Sequence, residues 1–186
     1  AVVAAAVAPP TGDLDAALQY LVHDGTQPFN YMYPREDGGE QAHATFEAKL
    51  VHITDARTEA ASLTLDRHGF VLAPHVTALT TQDFYERPEK VWGQYYAEMR
   101  ELVQQATGAS RVCVFDHNVR NPRDARWRRG VVGYVPYVHN DYTEESAPKR
   151  VRDVAGAGPD RLPEAELEAA LARRYVIVNV WRNISE

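Results

Sequence analysis

Cysteine is nearly missing from this chain. Cys113 is the only one in 186 residues, so neither an intrachain disulfide framework nor a thiolate metal cluster can be built. It lies in the apolar run from Arg111 to Phe115, where it reads as an inert core thiol, and the expected compartment is the reducing cytoplasm. Long hydrophobic runs are absent too. The apolar stretch from Ala1 to Pro10 has no basic leading region and falls short of the roughly 20 residues that cross a bilayer, so an edge strand or loose arm is expected there and no membrane partner. Positive charge is in deficit, with 20 Lys and Arg against 26 Asp and Glu and a net charge of -6, which opposes binding to nucleic acid or anionic lipid. The one basic cluster, Arg123, Arg126, Arg128 and Arg129, has only Trp127 among it and reads as a solvated loop. A phosphate-cradling glycine loop and a GxSxG elbow are both lacking, which excludes the commonest nucleotide and serine-hydrolase signatures.

What remains is a globular composition, 45% hydrophobic with 10% aromatic, in a length suited to one domain with a sizeable core. Leu14, Ala17, Leu18, Leu21 and Val22 recur at helical spacing and predict a helix from about Asp13 to Asp24, capped by Thr11 or Asp13 and ended by Gly25. Lys49 to Arg57 alternates as a strand, and a hairpin is expected to turn at Asp66 to Gly69. Val91, Trp92, Tyr95, Tyr96, Met99, Leu102 and Val103 form the stripe of a helix from Glu89 to Thr107, with Gly108 as a left-handed stop. Strands are predicted at Arg111 to Phe115, Val131 to Asp141 and Tyr175 to Trp181, and between the last two a short helix from Pro163 to Arg174, acidic in its first turn (Glu164, Glu166) and basic in its last (Arg173, Arg174). The fold class is α/β.

The feature with most chemistry is the run from Gly133 to Thr143, which sets His139 and Asp141 two residues apart. Side chains at that spacing leave one face of a strand, so a neutral imidazole and an ionised carboxylate can reach one divalent ion. A facial triad of two histidines and one carboxylate is commonly built this way in non-heme Fe(II) oxygenases. His139 is the last of the seven histidines, so a later histidine ligand does not occur in this chain. The plain alternative is an accidental pair on a sheet. Against it stand the neighbours Tyr134, Val135, Tyr137 and Val138, which predict a buried strand, where a carboxylate needs a metal or cation.

Asp116, His117 and Arg120 end a predicted strand, where they form either a subsite for a polar or anionic ligand or a salt-bridged turn. Asn179 shares a face with Tyr175, Ile177 and Trp181, so its amide needs a partner: ligand, metal-bound water or backbone. Arg182 at the strand end meets either a cosubstrate carboxylate or a surface acid.

Taken in order, HGFVL from His68, TGA from Thr107, VFDHNVR from Val114, VHNDYT from Val138, KRVRD from Lys149 and YVIVNVWRNI from Tyr175 span nearly the whole chain. Together they resemble the hydroxylase/desaturase family related to the CmcJ protein of cephamycin biosynthesis, the fungal aspergillic-acid hydroxylase and the gibberellin desaturase. That resemblance implies a double-stranded β-helix, a cupin-like jelly roll with flanking helices, and Fe(II)-dependent hydroxylation or desaturation of a small molecule in secondary metabolism. O2 and 2-oxoglutarate are the implied cosubstrates. His139 and Asp141 match the first two metal ligands, Arg120 a characteristic arginine, and Asn179, Trp181 and Arg182 a motif usually written NVWRP, with Asn183 here in place of proline. Tyr134, Tyr137, Tyr142 and Trp181 are expected to line the pocket. Family members continue beyond this motif, so residues 1–186 are expected to be a single domain forming the first two-thirds of such an enzyme. A catalytically silent cupin-like binding or scaffold protein with a partial metal site is the competing expectation, and a whole chain of this length would be expected to form a homodimer or to be poorly soluble.

Overall fold

The computed structural model describes residues 12–31, 33–126, 128–157 and 161–185. The apolar arm expected at Ala1 to Pro10, the cap at Thr11 and Trp127 lie outside the described residues. Two compact units emerge: Ala8–Thr58 with Tyr134–Asn140, and Glu59–Gly133 with Asp141–Glu186, each read over its described residues.

In the first unit β1 (Leu14–Leu21) and β4 (Phe46–Ile53) pair antiparallel over their full length, Leu14 opposite Ile53 and Leu21 opposite Phe46. The helix expected at 13–24 is therefore a strand. Its apolar residues fit both periods, and the pairing decides: Ala16, Leu18 and Tyr20 alternate as half-buried, while Asp15 faces His52 across the ladder. The expected strand at 49–57 is β4, which begins three residues earlier and ends at Ile53. Between them, β2 (Phe29–Asn30) and β3 (Ala42–His43) form a second antiparallel pair around the turn-rich segment.

The other unit is mostly helical. After a 3-10 turn at Ala56–Glu59 in the connecting segment, α1 (Leu65–His68) occupies the place of the expected hairpin. Asp66 in its first turn and Arg67 and His68 in its last suit the helix dipole, and Gly69, at φ 75°, closes it through a bond from its amide to the Leu65 carbonyl. α2 (Thr81–Glu86) starts on a capping box: the Thr80 hydroxyl accepts from the Asp83 amide, and the Asp83 carboxylate accepts from the Thr80 amide. The long helix stands where the apolar stripe placed it. α3 (Pro88–Lys90) passes through a π-helical turn at Val91–Tyr95 into α4 (Tyr96–Thr107), and Gly108 ends it at φ 68°. Leu79, Val91, Tyr95 and Met99 are its buried core, against which Phe84, Tyr96, Leu102 and Val114 pack.

β5 (Val119–Arg120) and β6 (Val131–Val132) form a parallel pair. α5 (Ser146–Ala155), not anticipated, follows reciprocal bonds between Thr143 and Ser146, and α6 (Glu164–Leu171) stands where the helix at 163–174 was expected but ends at Leu171, short of Arg173 and Arg174. Ala155, Leu162 and Leu167 make a second small core with Val151 and Leu171.

Three expected strands are not regular strands. Residues 111–115 and 175–181 are irregular, and of 131–141 only Val131–Val132 pairs. These runs have β-type composition, but a strand exists only where a neighbour completes its ladder. The architecture is a mixed α/β fold with three two-stranded sheets among the described residues.

Candidate functional site

His139 is positioned by aromatic contacts. The Tyr137 ring stacks on Phe46 of β4, centroids 4.8 Å apart, and the His139 ring meets Tyr137 edge-on at 5.7 Å. A backbone bond from the Val138 amide to the Gln19 carbonyl, 2.9 Å, ties the segment to β1. His139 Nδ1 lies 3.0 Å from the Tyr137 carbonyl oxygen. A carbonyl only accepts, so Nδ1 is the donor in this contact, and Nε2 is the ring nitrogen suited to a metal.

Asp141, in the other unit, is oriented from the far end of the chain. Its Oδ2 accepts a bond from Asn179 Nδ2 at 2.8 Å. The amide that the sequence left seeking a partner thus finds the candidate ligand carboxylate, the kind of outer contact that fixes metal-binding acids. His139, Asp141 and Asn179 are all exposed, which corrects the expectation of a buried strand. Solvent reaches this segment because only its first two residues are held in a ladder. The desolvation argument for a compensating metal falls away with that burial. Spacing in the sequence, the ring contact of His139 and the orientation of the Asp141 carboxylate remain, and an imidazole nitrogen and a carboxylate oxygen are each donor types that Fe(II) accepts. Among the described residues no group of three or more His, Cys, Asp or Glu could hold a metal ion.

Around this pair the structure divides the residues read from sequence. Arg120 leaves β5 to donate through Nη1 to the Gly133 carbonyl at 2.9 Å, and its guanidinium lies 5.8 Å from the centre of the Trp181 ring. His117 points elsewhere: its Nδ1 meets Tyr96 Oη at 2.9 Å, and burial pushes its pKa down while Asp116 opposes that. The proposed Asp116, His117, Arg120 cluster is therefore split between a helix contact and the loop after β6. Tyr134 and Trp181 are strongly exposed, at 69% and 77%, and Tyr142 is half-buried.

Among the described residues Arg182 meets no surface acid. Its Nε donates to Tyr95 Oη at 3.2 Å, and Nη2 reaches the His75 carbonyl at 3.3 Å and also His75 Nδ1. The sequence reading took Tyr95 for core packing only and missed His75. Phe46 was also missed as the support under Tyr137, and its alternation within β4 was the only signal. Arg128 pairs with Glu86 at 2.9 Å and lies over Tyr85, as a solvated basic loop would. Cys113 is a half-buried free thiol.

A family model described as an oxidoreductase/YMDC permease-like domain matches residues 18–186. The chain belongs to this family. Among curated relatives, an alpha-ketoglutarate-dependent dioxygenase, tstK of Talaromyces stipitatus, is 31% identical over 90% of this chain and 58% of its own length. A hydroxylase/desaturase, CTB9 of Cercospora beticola, is 27% identical over 84% of this chain and 52% of its own. The resemblance read from the ordered motifs therefore holds, and the chain spans little more than half the length of these relatives. The solved structure of an iron and alpha-ketoglutarate-dependent endoperoxidase, NvfI, aligns over 79% of this chain and 53% of that one with a TM-score of 0.62 and 24% identity, which shows a shared fold. Among the described residues no helix is long and apolar enough to cross a membrane.

Proposed function

We propose that this protein is an Fe(II)- and 2-oxoglutarate-dependent oxygenase that hydroxylates or desaturates a small molecule of secondary metabolism. The observation that carries the reading is the orientation of both candidate ligands: His139 held through its Nδ1 proton by the Tyr137 carbonyl, and Asp141 held by the Asn179 amide. Family membership and relatives named as alpha-ketoglutarate-dependent dioxygenases support it. Residues 1–186 are the first part of a single jelly-roll oxygenase domain, and the second histidine ligand and the arginine for the 2-oxoglutarate carboxylate come from outside them.

When bound, iron supplies O2 activation coupled to oxidative decarboxylation of the 2-oxoacid, and so the removal of hydrogen from an unactivated C–H bond. The chain supplies placement. His139 Nε2 and an Asp141 oxygen would be the groups that hold the metal, with the Tyr137 carbonyl restraining the imidazole and the Asn179 amide the carboxylate. Tyr134, Tyr142, Trp181 and Arg120 border the substrate, with the Arg120 guanidinium against Trp181 setting the ring's orientation. The enzyme works in the cytoplasm and needs neither nucleic acid nor a membrane.

The test is succinate formation from 2-oxoglutarate by full-length protein with Fe(II) and O2. We expect iron-dependent turnover that falls at least a hundredfold in His139→Ala. Equal turnover in wild type and variant overturns the reading.

A further inference from the structure

Both contacts described for His139 come from one neighbour. The Tyr137 carbonyl accepts from Nδ1 at 3.0 Å, and the Tyr137 ring meets the imidazole at 5.7 Å with 67° between the planes. Yet Tyr137 itself sits in a bend outside any ladder, between Pro136 and Val138, which are both exposed. A side chain steadied only by a loose neighbour keeps its rotamer freedom and surrenders it on binding, at a cost to affinity. What holds Tyr137 therefore bears on His139.

The bond from the Val138 amide to the Gln19 carbonyl fixes where the segment crosses β1, but it leaves the side chains on either side free to turn about their own bonds. The Tyr137 ring is fixed by Phe46, whose ring lies 4.8 Å away and only 19° from parallel. Phe46 is itself well anchored. It opens β4 opposite Leu21, and just beyond that rung the Val22 amide donates to the Thr45 carbonyl at 2.8 Å. The Thr45 hydroxyl then donates to Asp24 Oδ2 at 3.1 Å, so the backbone is held on both sides of the Phe46 ring. Tyr137 is half-buried between exposed neighbours, as cover of one ring face by Phe46 would make it. Phe46, Tyr137 and His139 all belong to one compact unit.

We propose that Phe46 is a positioning residue for the candidate metal centre: its ring fixes Tyr137, and Tyr137 in turn fixes the orientation of the His139 imidazole. Tyr137 then serves as a spacer between strand and ligand, with at most one ring face left for a pocket. The consequence for metal affinity rests on the reading of His139 as an iron ligand, whereas the consequence for the imidazole does not.

The test uses full-length protein freed of metal with EDTA and labelled with nitrogen-15 histidine. Its imidazole nitrogens are observed by NMR at mildly alkaline pH, and the His139 pair is assigned by its absence in His139→Ala. In wild type these two nitrogens are expected at the separate shifts of one fixed tautomer, with Nδ1 protonated. Phe46→Leu keeps apolar bulk but deletes the stack, so it should move them toward a common average and weaken Co(II) binding about tenfold, while Phe46→Tyr keeps both as in wild type. Met99→Ala, a destabilising change in the other unit, should move neither. If circular dichroism shows Phe46→Leu unfolded, Tyr137→Leu decides, because it keeps the carbonyl and deletes both ring contacts. Shifts already averaged in wild type, or unmoved in the folded variant, overturn the proposal, as does Co(II) affinity unchanged in that variant while His139→Ala lowers it. Co(II) bound equally well by His139→Ala overturns the metal-ligand reading instead, and the nitrogen shifts then decide on Phe46 alone.

Discussion

Asn179 is the residue whose role changes most between sequence and structure. The sequence says only that an amide on a mostly apolar face must find a partner, and the fold supplies Asp141. Asn179→Leu removes that donor, so Fe(II) affinity, followed by Co(II) absorption titration, is expected to fall about ten- to a hundredfold with the helical circular dichroism unchanged. The spacing of His139 and Asp141 was legible because it is local. Their exposure was not, since it depends on which neighbours pair with the segment. His52 is a residue-scale case on the hairpin. Asp15 at 2.9 Å, and then Asp13 at 3.3 Å, raise its pKa above the usual 6.5. The raised folded value means that this stabilisation is complete below the unfolded pKa and disappears as pH climbs through the folded one. Melting temperature measured from pH 5.5 to 8.5 should therefore decline less in His52→Gln than in wild type, and 1 M salt should shrink the difference, because the ring is exposed.

Elements were legible where their signals were local and complete. The apolar stripe ending in Gly108 gave the long helix, and the acidic first turn gave α6. β1 misled because Leu14, Ala17, Leu18 and Leu21 satisfy a helical period while the partner that makes it a strand lies more than thirty residues on, at Phe46–Ile53. α5 went unread, although Thr143, Ser146 and a proline in its first turn were start signals. Two substitutions test the helical unit. Thr80→Ala deletes the capping hydroxyl of α2 and should cost about 1 kcal/mol in urea unfolding. Met99→Ala empties a site only 4% exposed and should cost about 2–5 kcal/mol by the same measurement, with the m-value unchanged.

For the whole molecule, acid is the expected weak point. Asp24, Asp37, Asp55 and Asp83 are each held near a pKa of about 2, by Thr26, Arg35, Arg57 and Lys90 respectively as the largest cause. Depressed folded values mean stability that is present above the unfolded pKa of about 3.9 and is lost as pH falls toward 2. An acid titration followed by near-ultraviolet circular dichroism should show the loss of tertiary signal between those limits. Leu50 is 78%, Val76 94%, Val176 63% and Trp181 77% exposed, apolar groups that a second copy could cover. Sedimentation of residues 1–186 should therefore show concentration-dependent self-association, reduced in Leu50→Lys with Val176→Lys. The π-helical turn at Val91–Tyr95 has its own consequence for how this chain can vary. An extra residue in a regular helix swings everything beyond it by about 100°, whereas one wide turn absorbs the surplus and leaves later side chains on their original heading. Deletion of a single residue there should yield an uninterrupted α-helix with Met99 still facing Leu79, so this chain can lose a residue at that turn without rebuilding its interior.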